Sequence, residues 1–227
     1  MGRETFQERL RQVQDRVLAL GSMVERAIQQ STEVLKTRDV RLAEALIAGD
    51  SAINEERFRI EEVCLLLIAT QAPMAGDLRR LAAVLNIITD LERMGDHAAG
   101  NARIALLLVD EPPLKPLIDI PRMTDAACAM LREALDAFVA SDAEAALRIA
   151  YRDDEVDQLY DQVYRELLTF MMADPATINR ATHLLWAAHN LERIADRVTN
   201  ICERVIFQAT GRMTEIKGQT ERAYDDR

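Results

Sequence analysis

Aromatic residues make up only 4% of this 227-residue chain, and β-branched residues do not cluster in it. Ala, Leu, Glu and Arg dominate instead, straight-chain types that lose little rotamer freedom in a helix. Cysteine is scarce too. Cys64, Cys128 and Cys202 are odd in number, widely spaced and set in apolar stretches, with no Cys-x-x-Cys pair. That argues against a disulfide framework and a thiolate zinc site, and free thiols point to a reducing compartment. Positive charge is in deficit: the formal net charge of −10 excludes a phosphate-backbone partner, so no nucleic acid is expected. An acidic balance suits cations or basic protein surfaces. Long apolar runs are missing as well. The longest, Val63 to Ala69, falls far short of the roughly 20 residues a bilayer-spanning helix needs. The N-terminus is charged from the start and has no signal-peptide segment. The expectation is a soluble cytoplasmic protein without membrane insertion.

Signatures of catalysis are also lacking. There is no Gly-rich phosphate loop, no Gly-x-Ser-x-Gly elbow and no His-Glu-x-x-His. His97, His183 and His189 do not form the Glu-x-x-His of a di-iron bundle and read as surface or packed side chains. Trp186 reads as partly packed on a neighbouring helix, and Met171-Met172 as core filler.

What the chain does have is a long internal repeat. Leu91-Glu92-Arg93-Met94-Gly95-Asp96 returns as Leu191-Glu192-Arg193-Ile194-Ala195-Asp196. Asp39, Asp50 and Asn54 match Asp142, Asp153 and Asp157, and Pro73 matches Pro175. Between the copies, Pro112, Pro113, Pro116 and Pro121 crowd into one stretch that cannot continue a helix. The first segment carries Phe6, Leu10, Val13, Val17, Leu20, Val24, Ala27, Ser31 and Val34, an a/d seam. The reading is all-α: two tandem three-helix bundles, with helices over 4–36, 39–70, 73–109, 121–140, 142–173 and 175–210. The first bundle spans 1–110, a Pro-rich linker 111–120, the second bundle 121–210 and a frayed tail 211–227. Ser141-x-x-Glu144 reads as a capping box, Asp174 as an N-cap and Gly211 as a C-cap.

Residues four apart share a helix face, so Glu92/Asp96 and Glu192/Asp196 can each hold a cation. Both pairs lie in register with apolar positions, whereas Asn86, Asp90, Arg93 and His97 form a wet stripe. Folding the second and third helices of each half antiparallel sets Asp50 and Asn54 beside Glu92, and Asp153 and Asp157 beside Glu192 and Asp196. The second cluster then has four carboxylates and the first has three with an amide. Oxygen-only ligands suit magnesium, calcium, manganese or iron better than structural zinc.

These stretches carry a resemblance. Asp50-Ser-Ala-Ile-Asn54, Cys64-Leu-Leu-Leu-Ile-Ala-Thr-Gln-Ala-Pro73 with Asp77-Leu-Arg-Arg, the two Leu-Glu-Arg motifs, and Asp153-Asp-Glu-Val-Asp157-Gln-Leu-Tyr160 occur in order, and the chain resembles the PhoU family of bacterial phosphate-regulatory proteins. The resemblance implies two tandem three-helix bundles and multinuclear metal sites at Glu92/Asp96 and Glu192/Asp196, with Asp153/Asp157 and Asp50/Asn54 as counterparts. The ions are divalent or trivalent: iron, zinc, magnesium or manganese. It further implies a homodimeric, non-enzymatic adaptor between the ATPase component of a phosphate ABC transporter and a sensor histidine kinase, restraining the starvation response when phosphate is plentiful. The rival expectation is a metal-dependent, carboxylate-bridged helical-bundle enzyme.

Overall fold

The structure, a computed structural model, describes residues 3–216, with side chains from Phe6 onward. Seven helices follow one another: α1 (Arg3–Thr37), α2 (Val40–Gln71), α3 (Ala75–Leu107), α4 (Asp119–Ala140), α5 (Ala143–Ala150), α6 (Asp153–Ala173) and α7 (Ile178–Thr210). No strand occurs among the described residues. No helix among them is long and apolar enough to cross a membrane.

Every member of the a/d seam of α1, from Phe6 to Val34, is buried. Burying side chains of that size contributes roughly 1.5–3 kcal/mol each, so the seam fixes α1 against α2 and α3. Ser31 is tolerated inside because its hydroxyl donates to the Ile28 carbonyl at 2.7 Å. Asp39 caps α2 by accepting from the Leu42 amide at 3.0 Å.

The second half departs from the expected three helices in one place. The helix expected over 142–173 breaks at Tyr151-Arg152 into α5 and α6. Asp153, Asp154 and Glu155 then occupy the first turn of α6, where the positive end of the helix dipole favours them over a mid-helix position. The first half has Ala48 and Gly49 opposite the break and Asp50, Ser51 and Ala52 opposite the three acids, and α2 runs straight through.

Smaller boundaries also shift. Ser141 is not a capping-box residue but the left-handed C-cap of α4 (φ 54°), and Asp142 caps α5 through the Ala145 amide. Asp174 caps a single 3-10 turn, Pro175–Thr177, before α7 begins. The Pro-rich stretch ends earlier than expected, with Asp119 and Ile120 already helical and buried.

The largest revision concerns the two halves. The most extensive helix contact in the molecule is between α3 and α7, one from each half, so the two bundles share a seam. The supposed wet stripe of α3 supplies part of it. Asp90 accepts from Arg197 at 3.4 Å and from Asn200 at 3.3 Å, and His97 meets Asn190 Oδ1 at 3.2 Å. Asn190 also donates to the buried Asn101 at 2.8 Å. A polar stripe is legible as such in a sequence, but a polar partner for it on another helix is not.

Residues 211–216 are held rather than frayed, while 217–227 of the expected tail lie outside the described residues. Gly211 is the expected C-cap, left-handed at φ 77°, with its amide donating to Phe207 O at 2.8 Å.

Candidate acidic sites between the second and third helices of each half

In the first half, Asp50 on α2 faces Asp96 on α3, near enough for the two carboxyls to repel one another. Burial, followed by the Asp96 charge, pushes the Asp50 carboxyl above its ordinary range. Glu92 is raised for the same two reasons, burial first and Asp96 second. Gly95 permits the approach: a Cβ there would come within 3.0 Å of Ile53 Cδ1 and 3.4 Å of Asp50 Oδ1. Asn54 uses its amide on Asp50, donating to Oδ2 at 3.5 Å and to the backbone O at 3.4 Å. Arg57 lowers Glu92, and Arg103 lowers Asp50. Cations of the protein's own therefore reach this cluster from two sides.

The second half differs. Asp153 and Asp157 on α6 and Glu192 and Asp196 on α7 line one cavity of about 340 Å³, joined by Glu203 of α7 and Glu215 beyond it. Burial is the main cause that raises Asp153 to about 8, with Asp157, Asp196 and Glu192 adding repulsion in that order. Glu192 rises to about 7, by burial and then Asp196. Asp196 is raised by burial, against the pull of Arg193.

Repulsion also orders the side chains. Asp196 leans away to an ion pair with Arg193. Glu192 Oε2 lies 3.1 Å from His189 Nδ1, near enough for an ion pair with a charged imidazole but without hydrogen-bond alignment. As placed, no three acidic, cysteine or histidine side chains converge on one ion-holding point among the described residues. Holding an ion requires Asp196 and Glu192 to rotate inward from these partners.

Two buried oxygens remain without a hydrogen bond in the second cluster, Asp153 Oδ1 and Glu192 Oε2, and one in the first, Asp50 Oδ1. An orphaned buried acceptor costs about 1–3 kcal/mol, more when charged. Oxygen donors that are crowded, deprotonatable and under-satisfied are what a hard cation binds. The second cluster fits such an ion. The first fits it less well, because Arg57 and Arg103 stand where the second half has Tyr160 and Glu203.

The structure places Asp50 and Asn54 on α2, Glu92 and Asp96 on α3, Asp153 and Asp157 on α6 and Glu192 and Asp196 on α7, so each group of four lies about one helix pair. Glu203 and Glu215, which also line the second cavity, were not among the expected residues. Glu203 could have been found, since 192, 196, 199 and 203 fall on one helical face, and Thr199 lines the same cavity. Glu215 carries no periodic signal, because it follows the left-handed turn at Gly211.

A family model described as the PhoU domain matches twice, over residues 17–105 and 120–205. The phosphate-specific transport system accessory protein PhoU homolog of Caulobacter vibrioides is 40% identical over 209 residues, 92% of this chain and 91% of that protein. The Aquifex aeolicus homolog is 38% identical over 206 residues, 91% of this chain and 93% of the relative. Among solved structures, the phosphate transport system regulatory protein PhoU from Streptococcus pneumoniae superposes with a TM-score of 0.86 at 33% identity, covering 93% of this chain and all of that one. PhoU from Pseudomonas aeruginosa gives 0.86 at 36% identity, covering 91% of this chain and all of its own.

Proposed function

The chain belongs to the PhoU family, and from that membership we propose that it serves phosphate transport as an accessory and regulatory protein without catalysis of its own. Its partners are the ATPase component of a phosphate ABC transporter and a sensor histidine kinase, which it bridges as a homodimer. Bridging biases the kinase toward one conformation, by no more than the difference in its affinity for the kinase's states. Large apolar side chains stand exposed near both hairpin tips, Met74 and Leu78 on one and Met172 and Ile178 on the other, where they are free to be covered by a partner.

Cation binding is part of the proposal, and one observation carries it: in the second acidic cavity Asp153 Oδ1 and Glu192 Oε2 are buried without a hydrogen bond among the described residues. Asp153, Asp157, Glu192 and Asp196 would hold the ion, with Asp50, Asn54, Glu92 and Asp96 as a second set whose own arginines compete for it. The donor chemistry favours magnesium, manganese or iron over zinc. Bound there, the ion supplies positive charge that relieves carboxylate repulsion and ties α6 to α7. Protein stripped by chelator and then reloaded tests this through thermal unfolding and through binding to the transporter ATPase. A higher melting temperature and tighter ATPase binding on reloading support the reading; identical melting and binding in both states would reject it.

A further inference from the structure

Aromatic side chains are scarce in this chain, yet several gather on one face of its second half. On α7, His183, Trp186 and His189 recur three residues apart and so lie on one side of the helix. Trp186, the chain's single tryptophan, is 53% exposed and meets the His183 ring edge-on, with centroids 5.5 Å apart. His189 stands 6.0 Å from the half-buried Tyr160 of α6, which joins the rings of the two helices into one surface. Tyr164, one turn further along α6, is exposed in step with Trp186 on the antiparallel α7.

The fold does not require these rings. The first half has Asn86 in the place of Trp186, Thr89 in that of His189, and Arg57 and Glu61 in those of the two tyrosines. Each is satisfied locally there: Asn86 donates to Ala82 O at 2.8 Å, Thr89 donates to Leu85 O at 3.0 Å, and Arg57 pairs with Glu61 at 3.3 Å. The aromatic face is therefore an addition of the second copy, left in water where the first copy manages with polar side chains. Exposed Trp and Tyr rings grouped in this way mark a contact surface.

Charge says what kind of partner fits. Glu192 and Asp161 both lie near enough to Tyr160 to act on its hydroxyl, and Glu192 extends the α7 stripe three residues past His189. The electron-rich face of a Trp or Tyr ring attracts a cation. A guanidinium suits such a place best, because it stacks flat on a ring while its N–H groups reach a carboxylate.

We propose that the α6–α7 face around Trp186 docks a basic segment of a partner protein, with an arginine stacked on Trp186 and Tyr164 and the carboxylates of Asp161 and Glu192 at its rim. This rests on the bridging reading above, to which it adds the surface and the chemistry of one contact.

The test titrates metal-free full chain with a helical peptide of alanine and arginine that has no aromatic residue, so tryptophan fluorescence reads this face alone. Emission is expected to change saturably, and a peptide with glutamate in place of arginine should leave it unchanged. Trp186→Asn with Tyr164→Glu writes in the residues of the first half and should keep helix content by circular dichroism. It is expected to weaken binding of the labelled arginine peptide about tenfold, although the added carboxylate would strengthen mere attraction between opposite charges. Unchanged emission at full binding, or an unweakened double variant, would put the peptide elsewhere on the acidic surface and overturn the inference. A double variant that changes its sedimentation but not its peptide affinity would make the face a contact between copies, which also overturns it. If the chain binds neither the transporter ATPase nor the kinase, the bridging reading fails, whatever the peptide does.

Discussion

Asp90 on α3 pairs with Arg197 on α7 at 3.4 Å, and the equivalent of Asp90 in the second half, Asn190, meets the equivalent of Arg197 in the first half, His97, at 3.2 Å. The two copies thus read one another through the same positions in exchanged order, as an approximate two-fold relation requires. Because Asp96 adjoins His97 and Asp196 adjoins Arg197, this polar seam also joins the two acidic clusters. Arg197 and His97 of the seam both act on Asp196, drawing its carboxyl down against the effect of burial.

Breaking the seam pair should show more than surface-pair energetics. The side chains of Asp90 and Arg197 are only 14% and 17% exposed. Arg197→Ala leaves Asp90 with Asn200 alone and is expected to destabilise by about 1–3 kcal/mol. Asp90→Ala with Arg197→Ala should lose clearly less than the sum of the two single changes. Urea midpoints for the four proteins check this, and strict additivity would contradict the pairing.

The cation-free protein should become less stable as pH rises. Asp153 is raised to about 8 and Glu192 to about 7, so the folded state holds protons that the unfolded state has released above about pH 4. The unfolded state therefore binds fewer protons across that window, and stability falls from about pH 4 to about pH 8. Asp153→Asn should flatten the slope of melting temperature against pH over the same range. A melting temperature that climbs from pH 5 to pH 8 in chelated wild type would refute the assignment.

Glu192→Ala with Asp196→Ala should empty the fuller site without unravelling α7. Alanine is the better helix former by a few tenths of a kcal/mol per position, and removing two crowded carboxylates relieves repulsion. Helix content by circular dichroism should hold while metal stoichiometry falls. Retained stoichiometry would move the site elsewhere.

Gly95→Ala should destabilise despite the gain in helix propensity. That gain is about 1 kcal/mol, whereas crowding a well-packed contact costs about 1–3 kcal/mol. The new Cβ would press on Ile53 Cδ1 and Cγ2 at 3.0 and 3.3 Å. Combining it with Ile53→Val should recover part of the loss, which denaturant midpoints would register.

Thiol labelling offers an independent check on the core. Cys64, Cys128 and Cys202 are all buried, and burial lifts each thiol to about 12. At pH 8 a disulfide reagent should label none of them in the native protein and all three in urea. Rapid native labelling of any one would show that its helix opens more readily than this packing allows.

The sequence alone determined what depends on neighbours along one helix. The buried seam of α1, the caps at Asp174 and Gly211, the repeat and the pairing of Glu192 with Asp196 follow from 3.6-residue periodicity and from local hydrogen bonding. Antiparallel folding of consecutive helices was also within reach, because a short turn leaves little choice of partner, and so Asp50 and Asp153 were placed near their clusters. Only the tertiary structure decided what depends on distant elements. It turned the supposed wet stripe of Asp90 and His97 into the seam with α7. It set Arg57 and Arg103 against the first cluster, and it brought Glu203 and Glu215 to the second. A charge is legible in a sequence, but its energy depends on which opposite or like charge the fold sets within a few ångströms and how much water it leaves between them.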